Sequence, residues 1–179
     1  MTRGFYIGRF QPFHDGHREM TDRIAEEVDE VVVGIGSADA SHTVRNPFTA
    51  GERIMMLSRV LDELDKQTYV VPLEDINRNS VWASHVESMS PNFDVAYSNN
   101  PLVIRLFEED EIEVRQSQMF DRERLEGTDI RESMIDDDPW RDRVPDPVVD
   151  VVEEINGIQR LRTIAQDDVV DRWEADGDK

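Results

Sequence analysis

The chain has 179 residues, a length that suits one domain with a substantial hydrophobic core. It contains no cysteine, which excludes disulfide bonds and thiolate metal sites. Its 40 acidic and 20 basic residues give a formal charge of −20, and a surface with that charge repels nucleic acids and anionic membranes.

Only two of the basic residues are lysines, Lys66 and Lys179. An acidic, lysine-poor surface over an ordinary apolar pattern is typical of a halophilic cytosolic protein. The alternative is an acidic, partly disordered chain, but the regular strand and helix pattern argues against it except at the chain ends. No apolar segment is long enough to cross a membrane and the N-terminus lacks a signal-peptide pattern, so we expect a cytoplasmic protein.

Short apolar strands alternate with amphipathic helices along the chain. The predicted strands are residues 5–8, 31–35, 69–73, 93–97 and 112–114. The predicted helices are residues 17–27, a helix opened by the capping box at 49–52, and residues 81–89, 101–107, 128–135 and 147–155. This alternation predicts a single α/β domain with a Rossmann-like, doubly wound parallel sheet and helices on both faces. We place the domain at residues 1–166 and expect residues 167–179 to form an acidic, frayed tail.

The first polar segment is residues 8–17, which read GRFQPFHDGH and follow the first strand directly. His14 and His17 are three residues apart at the opening of a helix, so they share one face. A helix N-terminus carries unpaired N–H groups and binds anions, and Gly16 leaves room for a ligand to approach the backbone. With Arg9 as a permanent cation, the segment predicts a phosphate site with titratable donors. The alternative is a surface turn that happens to hold two histidines.

A second polar segment is residues 127–131, GTDIR. Thr128 is a suitable N-cap residue, and Arg131 follows one turn later. A helix start with a hydroxyl and an arginine can hold the far end of a polyphosphate. Taken alone, an ordinary capped helix with a solvated arginine is the better explanation of this segment.

A third segment, residues 74–82, places an acid, amides and an indole on the loop after the third strand. Asp can accept hydrogen bonds from ribose hydroxyls, Asn can pair with a carboxamide, and Trp can stack on a flat ring. A polar loop with one core tryptophan explains it as well. Residues 36–53, with the loop histidine His42, and residues 98–101 are weaker candidates.

These segments follow the first four strands and precede a late helix, which places them at one edge of one sheet. Their joint placement favours a functional site over several unrelated loops. An acidic protein that binds phosphates must cluster its cations. Arg9, His14, His17 and Arg131 would form such a cluster if the fold brings them together.

Four segments, residues 8–17, 46–53, 98–103 and 127–131, resemble the archaeal nicotinamide-mononucleotide (NMN) adenylyltransferases. The resemblance extends over nearly the whole chain, to about residue 165. The H-x-G-H element alone marks only the wider nucleotidyltransferase superfamily, and the longer segments are more specific. The resemblance implies a transferase of NAD biosynthesis that converts ATP and NMN to NAD and pyrophosphate with Mg²⁺. It also implies a homo-oligomer, commonly a hexamer.

The same resemblance assigns site residues. The ATP-binding residues are Gly8, Arg9, Phe10, His14, His17, Thr128 and Arg131. The expected catalytic residues among them are His14, His17 and Arg131. The expected NMN-binding residues are Asp75, Asn79 and Trp82, with the indole stacked on nicotinamide. No metal ligand is assigned to the protein, because ATP oxygens and water would hold most of the Mg²⁺ coordination sphere.

The chain departs from the family pattern at Glu126, where the family usually has serine before Gly-Thr. An acid beside a triphosphate is a poor ligand for it, so we leave Glu126 out of the predicted site. Two alternatives stay open: another adenylyl- or cytidylyltransferase of the superfamily, such as a pantetheine-phosphate adenylyltransferase, and a nucleotide-sensing protein without turnover. The segment 74–82 favours a nicotinamide substrate over the first, and the intact histidine pair with Arg131 argues against the second. Strictness for NMN over its acid form, nicotinic acid mononucleotide, is left open.

Overall fold

The computed structural model describes the backbone of residues 1–116 and 120–176 and the side chains of residues 1–116 and 126–167. The strands are β1 Arg3–Gly8, β2 Glu30–Ile35, β3 Gln67–Pro72, β4 Val95–Tyr97 and β5 Glu113–Arg115. The helices are α1 Asp15–Glu27, α2 Ala50–Leu61, α3 Trp82–Met89, α4 Pro101–Glu109, α5 Phe120–Asp136, α6 Asp146–Glu154 and α7 Gly157–Asp176. Single 3₁₀ turns lie at Asn79–Val81 and Arg141–Arg143.

The five strands form one parallel sheet in the order β3-β2-β1-β4-β5, and each face of it carries helices. Tyr6 and Val33 point to a core built with α1, α2, α5, α6 and α7. Their strand neighbours Phe5 and Val32 point to a second core built with α3 and α4. Strands buried on both faces account for the continuous apolar runs of the sequence, and the predicted doubly wound α/β fold is confirmed.

The strand order reverses beside β1, whose neighbours are β2 on one side and β4 on the other. In open parallel sheets, the crevice outside the carboxyl ends of the strands at such a reversal is where ligands bind. The chain leaves β1 at Gly8 and enters α1 at Asp15, so residues 9–14 lie at this crevice. The fold therefore places the most polar predicted segment at the switch point.

Two helices differ from the sequence-based expectation. Helix α5 begins at Phe120, so the prediction that a helix starts at Thr128 is wrong. A glycine inside a helix costs about 1 kcal/mol, and the burial of Ile130 and Met134 in the core outweighs that preference. Helix α7 was not predicted. Its backbone is helical through Asp176, while side chains from residue 168 and all of 177–179 lie outside the described residues, so a frayed tail stays a prediction.

Within the described residues, no helix combines the length and the apolar character needed to span a bilayer.

Candidate active site

A cleft of 660 Å³ opens at the carboxyl ends of the strands. All predicted site residues except Thr128 line it: Gly8, Arg9, Phe10, His14, His17, Asp75, Asn79, Trp82 and Arg131. A second depression, of 440 Å³, is lined by four carboxylates and one arginine of α1 and shares no residue with the cleft. The cleft is therefore the candidate site, because four carboxylates beside one arginine give the second depression a net negative charge, which repels a phosphate.

The two histidines stack on each other at the start of α1, with ring centroids 3.6 Å apart. His14 is the N-cap residue, and its backbone N–H donates to Nδ1 of His17 over 3.2 Å. Both side chains are buried. Burial first, and the neighbouring His14 second, lower the pKa of His17 well below its usual value of 6.5. His17 is therefore neutral at pH 7, with Nδ1 as an acceptor and the ring proton on Nε2.

The structure gives the protonation state of one of the two predicted hydrogen-bond donors, His17. The expectation from sequence was a titratable pair, but a neutral His17 donates an N–H without carrying a charge. Such a donor is fixed in place by its own hydrogen bond before any ligand arrives. It is suited to stabilising charge that develops on a phosphoryl oxygen.

Arg131 supplies a buried cation on the same wall. Its guanidinium donates to the carbonyls of Gln11 and Gly127, each over 2.8 Å, and to Oγ1 of Thr128 over 3.2 Å. Burial first, and then the cations Arg9 and Arg45, lower its pKa to about 10, so it stays charged at neutral pH. The fold thus brings Arg131 into mutual repulsion with two other arginines, and an anion relieves such repulsion.

Arg45 also lines the cleft, and the sequence analysis did not single it out. The available signal was an arginine inside a polar loop of a strongly acidic chain. Nearby, Nη1 of Arg9 donates to Oδ1 of Asn46 over 3.4 Å, which ties the loop after β1 to the loop before α2. The structure therefore brings the predicted residues Arg9, His14, His17 and Arg131 into one cleft, where His17 is neutral rather than cationic and Arg45 is an additional cation.

A buried arginine that sequence reasoning missed holds these loops together. Arg53, on α2, donates to the carbonyls of Arg9 and Gly36, each over 2.9 Å, and of Ser37 over 3.0 Å. Burial first, and then Arg9, lower its pKa to about 10, which still leaves it charged at neutral pH. Because its donors are engaged with backbone carbonyls, Arg53 shapes the cleft from behind.

The side-chain amide of Gln11 also links the loop after β1 to the loop before α2. It donates from Nε2 to the carbonyl of Phe48 and accepts at Oε1 from the Phe48 backbone N–H, each over 2.9 Å. This pairing resembles one step of a strand ladder, with a side chain in place of a strand. The loops after β1 and before α2 are thereby locked in register.

The opposite wall of the cleft is formed by the segment after β3. Asp75 and Asn79 are exposed there, and Trp82 is half-buried. The indole packs against Phe107 of the second core, with ring centroids 5.1 Å apart, while it also lines the cleft. The structure thus joins the two interpretations of Trp82: it belongs partly to the core and partly to the candidate site.

Thr128 and Glu126 depart from expectation. Thr128 lies inside α5 and is exposed, so it caps no helix start; it accepts a hydrogen bond from Arg131 instead. A direct role of Thr128 in ATP binding stays a prediction. Glu126, left out of the predicted site, lies with Oε2 3.6 Å from Nδ1 of His14. A Cβ at Gly16 would sit 2.9 Å from the same oxygen, so a carboxylate faces the start of α1.

Comparisons with known proteins agree with this geometry. The family model described as cytidylyltransferase-like matches residues 5–133. A nicotinamide-nucleotide adenylyltransferase from Haloarcula marismortui is 68% identical over 176 residues, covering 98% of this chain and 94% of the relative. One of the same name from Methanoculleus marisnigri is 54% identical over 168 residues, covering 94% of this chain and all of the relative. Relatives from Haloarcula and from Halobacterium salinarum support the halophilic interpretation of the charge.

A solved structure from Francisella tularensis shows the same fold. It is a bifunctional NMN adenylyltransferase/ADP ribose pyrophosphatase, in complex with AMP and a manganese ion. It superposes with a TM-score of 0.75 at 19% sequence identity, covering 97% of this chain. The match covers 55% of the Francisella chain, so the present chain corresponds to about half of it. From the cleft geometry and the extent of these matches, the chain belongs to the nicotinamide-nucleotide adenylyltransferase family of cytidylyltransferase-like proteins.

Proposed function

We propose that this protein transfers the adenylyl group of ATP to NMN, forming NAD and pyrophosphate. One observation carries the proposal: a buried, stacked histidine pair, of which His17 is neutral, and three arginines share a cleft with a half-buried indole on the opposite wall. The cations suit a triphosphate, and the indole suits a flat aromatic ring. The relatives are named nicotinamide-nucleotide adenylyltransferases, which agrees with both a triphosphate donor and a nicotinamide acceptor.

The reaction needs no covalent intermediate. An oxygen of the NMN phosphate forms a bond to the α-phosphorus of ATP, and the bond from that phosphorus to the bridging oxygen breaks. Pyrophosphate leaves with the electron pair of the broken bond. The NMN phosphate is ionised near neutral pH, so no strong general base is required, and catalysis consists of positioning and charge stabilisation.

The described residues suggest a role for each group. His14 and His17 hold ATP phosphates at the start of α1, and Nε2–H of His17 donates to charge that develops on them. Arg9 and Arg131 bind the triphosphate, and Thr128 supports Arg131 through its hydroxyl. Gly8 and Phe10 shape the cleft floor: a Cβ at Gly8 would come within 2.9 Å of the Phe10 ring.

The second substrate is assigned to the other wall. Trp82 stacks on nicotinamide, Asn79 pairs with its carboxamide, and Asp75 accepts from ribose hydroxyls. The exposure of Asp75 and Asn79 agrees with a surface that a ligand can reach.

We assign Mg²⁺ as the metal that accompanies ATP. Among the described side chains there is no group of three or more His, Asp or Glu residues that could cage an ion, so the donor set fits an ion carried mainly by ATP oxygens and water. Bound in that way, the ion would neutralise part of the phosphate charge. The cation cluster of the chain then orients the phosphates that remain exposed.

The test is a substrate panel in molar KCl. ATP or CTP is offered with NMN, nicotinic acid mononucleotide or phosphopantetheine, and both pyrophosphate and the joined product are measured. We expect pyrophosphate and NAD from ATP with NMN. Turnover only with CTP or phosphopantetheine would assign a different transferase, and nucleotide binding without pyrophosphate release would assign a nucleotide sensor.

We further propose that the protein acts in the cytoplasm as a homo-oligomer, a hexamer by its family resemblance. Light scattering in molar KCl measures the mass directly, and a mass near that of one 20.7 kDa chain would contradict the oligomer.

A further inference from the structure

The last helix, α7, contacts the loop that carries Arg45. This helix spans Gly157–Asp176 and lies beyond residues 5–133, the part that the family model matches. No predicted site residue lies on it. Its first turn nevertheless meets residues 43–49, here named the arginine loop, which runs from Thr43 to the N-cap of α2.

Arg160 makes the contact. Its Nη1 and Nη2 donate to the two carboxylate oxygens of Glu52, each over 2.7 Å, and Nη1 also donates to the carbonyl of Pro47 over 3.3 Å. The two side chains are 23% and 14% exposed. A bidentate arginine–carboxylate pair fixes the orientation of the two side chains as well as their distance. Its partial burial reduces screening by salt.

Glu52 transmits this contact to the loop. Its carboxylate accepts from the backbone N–H of Thr49 over 2.9 Å, and its own N–H donates to Oγ1 of Thr49 over 3.2 Å. Burial raises the pKa of Glu52, but hydrogen bonds from Arg160 and Thr49 outweigh it and the net pKa lies below the usual value. Glu52 is therefore charged at neutral pH and joins α7 to the end of the arginine loop.

The same loop is packed closely at Phe48. A Cβ at Gly157 would lie 2.8 Å from Cε1 of Phe48, so the first residue of α7 must be small for the helix to approach. Phe48 is fully buried and is paired through its backbone with Gln11. Two residues earlier, Asn46 meets Arg9. Arg160 thus acts on a segment that also contacts Arg9 and Gln11 in the loop after β1.

A second ion pair joins α2 to the C-terminal part of the chain but has no described hydrogen bond to the arginine loop. Arg59 of α2 pairs with Glu154 of α6 over 2.8 Å, and their side chains are 41% and 52% exposed. Like the Arg160–Glu52 pair, it joins α2 to the C-terminal part of the chain. Neither of its residues has a described hydrogen bond to the arginine loop, and exposed pairs of this kind add about 0–1 kcal/mol of stability. It provides a matched control.

We propose that Arg160 is a positioning residue for nucleotide binding: through Glu52 and the Pro47 carbonyl, it holds the arginine loop so that Arg45 faces the cleft before ligand arrives. The identity of the nucleotide as ATP rests on the proposed function. The link between α7 and the loop does not, because it stands on contacts within the chain.

The first test is hydrogen exchange of nucleotide-free protein. Arg160→Gln removes the positive charge and one of the two hydrogen bonds to the Glu52 carboxylate. Glu52→Gln keeps a side chain that serves in a capping box but weakens the pairing with Arg160. We expect both variants to speed exchange of the Asn46, Phe48 and Thr49 amides about tenfold, with little change in the sheet. Arg160→Lys should restore part of the protection, and Arg59→Gln should leave the loop unchanged.

The second test is kinetic. We expect Arg160→Gln to raise KM for ATP about tenfold while kcat changes little, because a misplaced Arg45 weakens nucleotide binding. The double variant Arg160→Gln/Glu52→Gln should be no worse than the poorer single variant, since both break one contact. Melting temperatures of Arg160→Gln and Arg59→Gln, measured together, correct for general destabilisation.

The two tests separate the inference from the proposed function. Unchanged loop exchange in Arg160→Gln, or equal exchange in Arg59→Gln, overturns the positioning role whatever reaction the wild type catalyses. Faster loop exchange with an unchanged KM for ATP also overturns it. A wild type that makes no NAD contradicts the proposed function alone, and loop exchange still decides the link.

Discussion

The two walls of the cleft differ in how they are held. On the wall that carries the histidine pair, His14, His17 and Arg131 are buried, and their described hydrogen bonds run to the backbone, to one another or to the hydroxyl of Thr128. On the opposite wall, formed by the segment after β3, Asp75 and Asn79 are exposed. The wall that carries the histidines and Arg131 is therefore preorganised, while the wall that carries Asp75 and Asn79 is open. Preorganised donors cost no rearrangement at the moment of reaction, which is where rate is gained.

Trp82 marks the border between the two arrangements. One side of the indole packs in the second core against Phe107, and the other lines the cleft. It is thus anchored by the fold even though the loop before it is exposed. Substitutions on the two walls should consequently affect different kinetic constants: kcat for the wall that carries His17, and KM for NMN for the wall that carries Trp82.

The largest effect is expected for His17→Ala. Removing one preorganised donor to a developing charge lowers kcat by about 10²- to 10³-fold. The measurement is kcat with saturating ATP and NMN, with circular dichroism to establish folding. His17→Asn is the control, because its amide keeps an acceptor near the His14 N–H. A folded His17→Ala variant with more than about a third of wild-type kcat would contradict the role in charge stabilisation.

A smaller effect, on the other wall, is expected for Trp82→Ala. Loss of stacking should raise KM for NMN by about 5- to 150-fold, equivalent to about 1–3 kcal/mol, and leave KM for ATP nearly unchanged. Trp82→Phe should lie in between, since it retains a ring beside Phe107. Equal increases in both KM values would show that the indole acts through the core, and the division between the walls would fail.

A modest gain is expected for Glu126→Gln. The carboxylate lies 3.6 Å from Nδ1 of His14 and repels a phosphate bound there, so neutralising it should lower KM for ATP by about two- to fivefold. The control is Asp136→Asn, which removes a charge from the far end of the same helix. Both are measured at the lowest salt that keeps the protein folded, because salt screens the effect. A higher KM in Glu126→Gln would instead make the carboxylate a contributor to nucleotide binding.

The smallest effect concerns pH. Because burial lowers the pKa of His17 below 6.5, the unfolded chain binds a proton there that the folded chain does not. Above pH 6.5 the imidazole is neutral in both states and has no such effect. As the pH falls below 6.5, proton binding favours the unfolded chain, so the free energy of unfolding decreases. The melting-temperature difference between wild type and His17→Asn should therefore shift against the wild type between pH 7.5 and pH 5. A difference that is constant with pH would mean that His17 is not held neutral.

The sheet and the placement of the histidine pair at the cleft were predictable because their signals are local. Val31 to Val33 are apolar on both faces of β2, and the histidine spacing at α1 requires only one helical turn. The start of α5 was not, because Gly127 and Thr128 have the local chemistry of a helix start. Burial of Ile130 and Met134, decided by tertiary packing, carries the helix through them.

Long-range contacts account for the rest. Arg53 has no distinguishing neighbour in sequence, and its role depends on carbonyls of two loops, after β1 and after β2, that only the fold brings together. Glu126 was judged by the charge of its predicted neighbours, and its contact with His14 spans more than a hundred residues. Contacts of that separation leave no periodicity for a sequence pattern to reveal.

The buried guanidinium of Arg53 has a consequence for how such proteins diverge. Its described hydrogen bonds run to Arg9, Gly36, Ser37, Ala40 and Thr49. None of these acceptors belongs to residues 74–82, so a sequence change in that segment removes none of the hydrogen bonds by which Arg53 holds the loops after β1 and β2. Lineages that share this scaffold can therefore exchange the molecule that receives the adenylyl group while inheriting the reaction itself unchanged.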